Sequence, residues 1–527
     1  MLHNVSASRV RADMEELAAD HMRGREAGSD DYRRAAALVA KQFRGIGLEP
    51  LGDNGTYLQE VEFIETRLAS GSGAMTSRYR ERDLALTRGE DFIVNGGYGA
   101  ADEAVTAPVV FAGYGIRAPE RNYDDFAGID VKGKILLVFT GAPPEFGTSE
   151  RAFYSSIGEK YRLARERGAV GIVTVQTPVD RKRTPWQRIL DTADHPGLRW
   201  RETDGSAHDG FAEMKGNAAL SPQGATKLFR FLGHDLDRLF DEFFAGKIRG
   251  FDPGATVTLT RRSLQSRVSS PNVIGVLRGS DPLLRDEFVL VTAHLDHLGV
   301  LSNAKGDAIY NGAYDNAAGV AVVLEIARAV AAATKRPRRS IMFAAVTAEE
   351  QGLRGSDYLA QHPPVPIDAI VANLNFDMPY LGFPIADVEG YGIAHSTLED
   401  ALNLAAATVG VKVTPDQKPE LVRLIRSDQF SFVKRGAPGV NLKPGSISAE
   451  PSIDGAAMTE AFLADRYHQP GDDLSQPFSA RGAETFIRTG LMFTLIVAND
   501  AGRVEWRPND FFGERFGRQR PGRHAPR

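Results

Sequence analysis

Cysteine is absent from all 527 residues of the chain. This absence excludes disulfide bonds, thiolate nucleophiles, iron–sulfur clusters and cysteine-ligated zinc sites. Any zinc-class ion must therefore be held by histidine, aspartate and glutamate side chains.

The chain also lacks long apolar runs and an excess of positive charge. No run reaches the roughly 18 apolar residues that a membrane-spanning helix requires, so we expect no membrane span. The first residues, MLHNVSASRVRADMEEL, lack the apolar segment of a secretory signal. The net charge of −5 predicts no basic surface, and nucleic acid is therefore not an expected partner.

Several well-known motifs are missing as well. The sequence contains no HExxH and no GxSxG segment, so neither a zincin nor a serine hydrolase is indicated. The glycines of GYGIRA and GGYGAA do not complete a phosphate-binding fingerprint.

What the chain does have is an alternation of strand-like and helical segments from about residue 270. Apolar runs such as EFVLVTA, SIMFAAV and AIVANLNF alternate with helical patterns such as NAAGVAVVLEIARAVAAAT. This alternation predicts an α/β domain with a mostly parallel sheet covered by helices on both faces.

Residues of the types that bind zinc follow these predicted strands, open a following helix or lie in a late loop. They are His294, Asp315, Glu350, Asp377 and His468, with further carboxylates at Asp296 and Glu349. In open α/β sheets, ligands bind beyond the carboxyl ends of the strands, so we expect most of these side chains to meet at one edge.

Each residue alone has a more ordinary interpretation. Asp315 alone would be the N-cap of a helix, Glu349 and Glu350 a solvated turn, and His468 a surface histidine. Their joint placement favours a site instead. Two imidazoles and three carboxylates suit two zinc-class ions with one carboxylate bridging, and a spare glutamate beside them suits the general base of a metal hydrolase.

The chain resembles the co-catalytic zinc exopeptidases of the bacterial leucyl aminopeptidase, aminopeptidase Y and glutamate carboxypeptidase type. The matching segments are AHLDHLG, NGAYDNAAG, TAEEQGLRGS, NFDM, RSDQFSFVKRGAPGV and DRYHQPGDD. The segments VVFAGYGI, YDDFAGIDVKGKILLV and ARERGAVGIV resemble a protease-associated (PA) domain. The resemblance implies a phosphorylase/hydrolase-like α/β fold, with a mixed, mostly parallel sheet between helices and a β-rich PA insert.

The resemblance also implies a division of the chain. Residues 1–65 would be the N-terminal helical part of the catalytic domain, 66–104 connecting strands, 105–255 the PA insert, 256–510 the zinc peptidase domain and 511–527 a flexible basic tail.

A role for each candidate ligand follows from the same resemblance. Asp315 would bridge two zinc ions, His294 and Asp377 would complete one site, and Glu350 and His468 the other. Cobalt or manganese are alternatives to zinc, because ligand type alone does not select among these metals.

Two further residues receive roles by resemblance. Glu349 would act as general base, and Asp296 would accept a hydrogen bond from His294 and fix its tautomer. The resemblance also implies a cis peptide bond between Asp315 and Asn316.

The implied activity is that of a metallo-aminopeptidase acting on peptides with a free N-terminus. A carboxypeptidase or dipeptidase on the same fold, a glutaminyl cyclase with one zinc, and a non-catalytic relative of the transferrin-receptor type are the alternatives. The complete ligand set argues against the last. Family analogy implies a periplasmic or secreted protein whose signal has been removed, whereas a native start at Met1 implies a cytoplasmic one. The oligomeric state stays open.

Some positions depart from the family pattern. Tyr314 stands where an acidic or amide residue is common, Pro379 where a small residue is common, and Gln429 where relatives often carry histidine. We expect them to affect specificity more than activity. For the extra histidines His297 and His395 we favour supporting or surface positions over metal ligation.

Overall fold

The computed structural model describes residues 4–193, 195–300 and 306–517. The chain divides into two compact units. The first comprises Met1–Glu62, Ser269–Pro419 and Arg423–Arg527, and the second comprises Phe63–Val268 with Glu420–Val422. The second unit therefore includes residues 66–104, which we predicted as connecting strands, together with the predicted insert at 105–255.

The sheet of the first unit is mixed and mostly parallel, as predicted. Its four central strands run parallel to one another in the order Ser340–Val346, Phe288–His294, Ile370–Asn375 and Gly439–Pro444. Antiparallel neighbours flank them: on one side the strand Thr256–Leu277 and then Glu49–Pro50, on the other Asp387–Tyr391, which pairs in parallel with Lys412–Thr414.

The strand Phe288–His294 explains why the central sheet could be read from the sequence. All its residues are buried, because alternate side chains enter two separate cores. Val289 and Val291 pack in one core and Leu290 in the other. Burial on both faces produces a near-continuous apolar run in place of an alternating one.

Helices cover both faces of this sheet. The first core contains apolar residues of Ala7–Leu17, Asp30–Ile46, Ala318–Ala331 and Ala480–Asn499, and the second includes Leu359 and Ala360 of Arg354–Gln361. The remaining helices of the unit are Leu398–Val409, Gln429–Val433, Gly455–Asp465 and Phe511–Phe516. Within the described ranges, no helix has both the length and the apolar character needed to cross a bilayer.

The second unit has a sheet of its own. The strands Asp102–Ala112, Ile135–Phe139, Gly171–Val175 and Ala218–Leu220 follow one another in parallel pairing. Further strands are Ala74–Tyr79, Arg82–Leu86, Phe92–Ile93, Arg117–Ala118, Tyr123–Asp124, Gly197–Trp200 and Gly250–Phe251, with Leu58–Leu68 and Thr256–Leu277 running through both units. Its helices are Thr148–Ser155, Ile157–Glu166, Pro178–Arg183, Trp186–Thr192, Pro222–Phe231 and Leu236–Phe244.

We predicted a flexible tail from residue 511, but the first residues of that segment form the helix Phe511–Phe516. Asp510 caps the helix Phe511–Phe516 by accepting a hydrogen bond from the backbone N–H of Gly513. Phe512 is fully buried and its ring contacts those of His395 and Phe430. An aromatic anchor thus orders a segment whose arginine and glycine content suggested solvation. Residues 518–527 of the predicted tail lie outside the described residues.

Candidate metal centre

The five predicted ligands come together at one edge of the parallel sheet. His294 ends a central strand, Glu350 follows the strand Ser340–Val346, and Asp377 follows Ile370–Asn375. Asp315 lies just before the helix Ala318–Ala331, and His468 follows Gly455–Asp465. The first three thus reach one place because parallel strands end on the same side of the sheet.

The two carboxylate oxygens of Asp315 face two different imidazoles. Its Oδ1 lies 3.2 Å from Nε2 of His294, which is also 3.4 Å from Oδ1 of Asp377. Its Oδ2 lies 3.1 Å from Nε2 of His468, which is also 3.2 Å from Oε2 of Glu350. The donor atoms therefore form two neighbouring clusters that share one carboxylate.

Burial and the contacts between these side chains shift their pKa values in opposite directions. Burial alone would raise the pKa of Asp315, but hydrogen bonds from His294 and His468 hold it well below its usual range. Burial would lower the pKa of His468, but the charges of Glu350 and Tyr467 and its contact with Asp315 hold it well above its usual range. The cluster consists of ionised carboxylates that require positive charge beside them, which is the electrostatic condition for holding cations.

Glu349 lies in the same turn as Glu350 but outside these contacts. Among the residues that the structure describes, its carboxylate has no hydrogen-bond partner. Burial raises the pKa of Glu349 well above its usual range, and the carboxylates of Asp377, Glu350 and Asp428 add to this against the opposing charge of His294. The side chain is thus free to exchange a proton with a molecule in the site.

We predicted that the carboxylate of Asp296 accepts a hydrogen bond from His294, but the backbone carbonyl of Asp296 is the acceptor. Nδ1 of His294 donates to the backbone carbonyl of Asp296 at 3.1 Å, whereas the carboxylate is 3.9 Å away. The Asp296 carboxylate instead accepts the backbone N–H groups of Glu349 and Glu350 at 3.1 and 3.2 Å. Because its carboxylate binds these two backbone amides, Asp296 orients the turn that carries the two glutamates. The backbone, not the side chain, fixes the His294 tautomer.

The two extra histidines, His297 and His395, lie in different surroundings. His297 is buried and its Nδ1 lies 2.7 Å from Oε1 of Glu350, so it adjoins the cluster. His395 lies 2.5 Å from a carboxylate oxygen of Asp510 and takes no part in the cluster.

Two of the three residues that depart from the family pattern, Tyr314 and Gln429, are held by hydrogen bonds within the first unit. The hydroxyl of Tyr314 donates to the carbonyl of Pro477 at 2.5 Å. Gln429 accepts a hydrogen bond from the side-chain amide of Asn375 and donates one to the carbonyl of Leu424. Both are buried. The structure also contains the expected cis peptide bond between Asp315 and Asn316.

Three supporting residues were not anticipated. The carboxylate of Asp472 accepts the backbone N–H groups of Tyr314 and Asp315, each at 2.9 Å. Nζ of Lys443 donates to the backbone carbonyl of Asp377 at 2.6 Å. Two of the loops that bear ligands are therefore held through their backbones. Asp472 lies in the quoted segment DRYHQPGDD, but nothing in that segment indicates a backbone contact.

The third unanticipated residue is Arg25, whose guanidinium is completely buried. It donates to four backbone carbonyls: those of Leu295 at 2.9 Å, Leu17 at 2.6 Å, Asn311 at 2.7 Å and Gly312 at 3.0 Å. It thereby joins the loops that carry the first and second ligands. In the sequence Arg25 lies in the charged segment RGREAGSDD, which gives no sign of burial.

Two segments of the chain match known protein families. Residues 272–494 match the family model described as peptidase family M28, and residues 105–224 match the PA domain. The predicted family resemblance and the predicted presence of a PA domain are thereby confirmed.

Individual relatives are more distant. A probable zinc metalloprotease of Pyricularia oryzae is 38% identical over 132 residues, which is 23% of this chain and 25% of that protein. Leupeptin-inactivating enzyme 1 of Streptomyces exfoliatus is 29% identical over 243 residues, which is 44% of this chain and 49% of that protein. The chain thus matches no more than about half of the length of either protein.

A solved structure matches over nearly the whole chain. It is an aminopeptidase from Aneurinibacillus sp. strain AM-1, with a TM-score of 0.54, 19% identity, and coverage of 97% of this chain and 98% of that one. This likeness confirms the predicted fold class.

Proposed function

We propose that the chain, which matches peptidase family M28 at residues 272–494 and the PA domain at residues 105–224, is a zinc metallo-aminopeptidase. In this proposal the enzyme uses two zinc ions and a glutamate base to remove N-terminal residues from peptides. The observation that carries the proposal is the arrangement at Asp315, whose two oxygens each face a different imidazole.

The donor set fits zinc-class ions. Imidazole nitrogens and carboxylate oxygens are the ligands that zinc takes when cysteine is absent. His294 and Asp377 would hold one ion, Glu350 and His468 the other, and Asp315 both. When bound, such ions act as Lewis acids and make water nucleophilic at neutral pH.

The side chains around the site supply the remaining steps. Glu349, which no hydrogen bond ties down among the described residues, takes a proton from the attacking water and delivers it to the leaving amine. Asp296 holds the backbone N–H groups of Glu349 and Glu350, so that the base and its neighbouring ligand keep a fixed relation. The buried carboxylates also favour a substrate that brings a positive charge, which the free α-amine of a peptide provides.

A panel of aminoacyl-anilides tests the proposal directly. We expect hydrolysis that a chelator abolishes and added zinc restores, and no hydrolysis of the matching N-acetylated anilides. Equal rates on free and acetylated substrates would remove the aminopeptidase assignment. Cleavage of C-terminal residues from N-blocked peptides would favour a carboxypeptidase, and about one zinc per chain with cyclisation of N-terminal glutamine would favour a cyclase.

A further inference from the structure

We propose that His297 is a positioning residue of the metal centre, whose imidazole N–H fixes the carboxylate of Glu350 so that only one of its oxygens is presented to a cation. The inference rests on the proposed two-ion centre and adds to it a residue outside the predicted ligand set.

The contact between the two side chains is short and buried. Nδ1 of His297 lies 2.7 Å from Oε1 of Glu350, and His297 is 1% exposed. The other oxygen, Oε2, lies 3.2 Å from Nε2 of His468. The two oxygens of Glu350 are therefore divided between two histidines, and Oε1 is already engaged by a hydrogen-bond donor.

The surroundings of the ring decide which nitrogen carries the proton. Within the described part of the chain, Nε2 of His297 is buried and has no hydrogen-bond partner. A proton there would be a buried donor without an acceptor, which is costly. The proton therefore sits on Nδ1, where the Glu350 carboxylate accepts it.

The ring itself has little freedom to move. A Cβ placed on Gly312 would lie 2.6 Å from both Cγ and Cδ2 of His297, so that glycine packs directly against the imidazole. The backbone N–H of His297 donates to the carbonyl of Arg25 at 3.2 Å. A ring that packs against Gly312 and extends from a hydrogen-bonded backbone can impose its orientation on the carboxylate that it contacts.

The expected consequence concerns metal affinity. Hydrogen-bond partners behind a ligand typically contribute about 10–100-fold to the affinity for the ion. His297→Leu keeps much of the ring volume and removes the donor, so one of the two zinc ions should bind about 10–100-fold more weakly. His297→Asn places an amide N–H near the position of Nδ1 and should restore most of that affinity.

The test is a zinc titration of the metal-free full-length chain against a chromophoric chelator, with cobalt absorption spectra as a second readout. His395→Leu is the matched control, because His395 also contacts a carboxylate but lies apart from the cluster, and it should leave both affinities unchanged. Circular dichroism checks the fold, and His297→Ala replaces the leucine variant if the latter does not fold.

Two results would overturn the proposal. Unchanged affinity for both ions in the leucine and alanine variants would show that the contact does not matter. An asparagine variant as weak as the leucine variant would show that a ring nitrogen is itself a ligand. Failure of the unchanged chain to bind two zinc ions would instead remove the metal centre itself, together with this role for His297.

Discussion

Replacing Arg25 with methionine should destabilise the first unit severely, although Arg25 contacts no ligand side chain. Methionine keeps most of the volume of the buried stem and removes every donor. Four backbone carbonyls then lose a hydrogen bond, those of Leu17, Leu295, Asn311 and Gly312.

The size of the effect follows from those four contacts. A typical hydrogen bond contributes about 1 kcal/mol net, so their loss amounts to about 4 kcal/mol. Burial lowers the pKa of Arg25 to about 10, so the guanidinium stays charged at neutral pH and attracts the carboxylates of Asp472, Asp296 and Asp315. Its removal leaves those carboxylates without this cation, which adds to the loss. The first unit spans about 320 residues, for which an unfolding entropy of about 2.1 cal/mol/K per residue gives about 1.5 °C per kcal/mol, so the melting temperature should fall by about 6 °C.

Thermal and urea unfolding of the metal-free chain, followed by circular dichroism, measure this change. Arg23→Met is the control two residues away, because the Arg23 side chain is 57% exposed and lies 3.4 Å from the carboxylate of Asp31 in a surface ion pair. It should change the free energy of unfolding by no more than about 0.5 kcal/mol. If Arg25→Met also stayed within about 1 kcal/mol of the unchanged chain, the reasoning from its four hydrogen bonds would be refuted.

The remaining predictions concern the metal centre. Glu349→Gln should keep both zinc ions and reduce kcat by about 10²–10⁴-fold, whereas Glu350→Gln should lose zinc by elemental analysis; loss of metal from the first variant would contradict the role of Glu349 as base. Asp315→Ala should abolish binding of both ions, and retention of two zincs would contradict the bridge. Lys443→Met removes the donor to the Asp377 carbonyl and should weaken zinc binding about 10-fold or more. Lys434→Met removes an ammonium that lies 3.1 Å from Asp357, away from the candidate ligands, and should leave the titration curve unchanged.

The central sheet, and the meeting of the candidate ligand residues at its edge, could be predicted from the sequence for a physical reason. A strand such as Phe288–His294 is buried on both faces, so it appears as an uninterrupted apolar run that ends at a ligand. The polar residues after such runs then meet because the strands are parallel and neighbouring. The prediction needed only the order of local patterns.

The supporting contacts could not be read in the same way. Arg25, Asp472 and Lys443 act on backbone groups of residues far away in the chain, and every residue has such groups. The side-chain pattern therefore does not identify the partner. The role of Asp296 was predicted wrongly for the same reason, because its carboxylate accepts hydrogen bonds from two backbone N–H groups and not from His294.

The most direct test of the metal centre is X-ray diffraction from crystals grown with zinc, with anomalous differences recorded on both sides of the zinc absorption edge. The arrangement of the carboxylates predicts two strong anomalous peaks, one contacted by His294 and Asp377 and one by Glu350 and His468, with Asp315 between them. A single peak, or peaks contacted by other side chains, would contradict the two-ion centre.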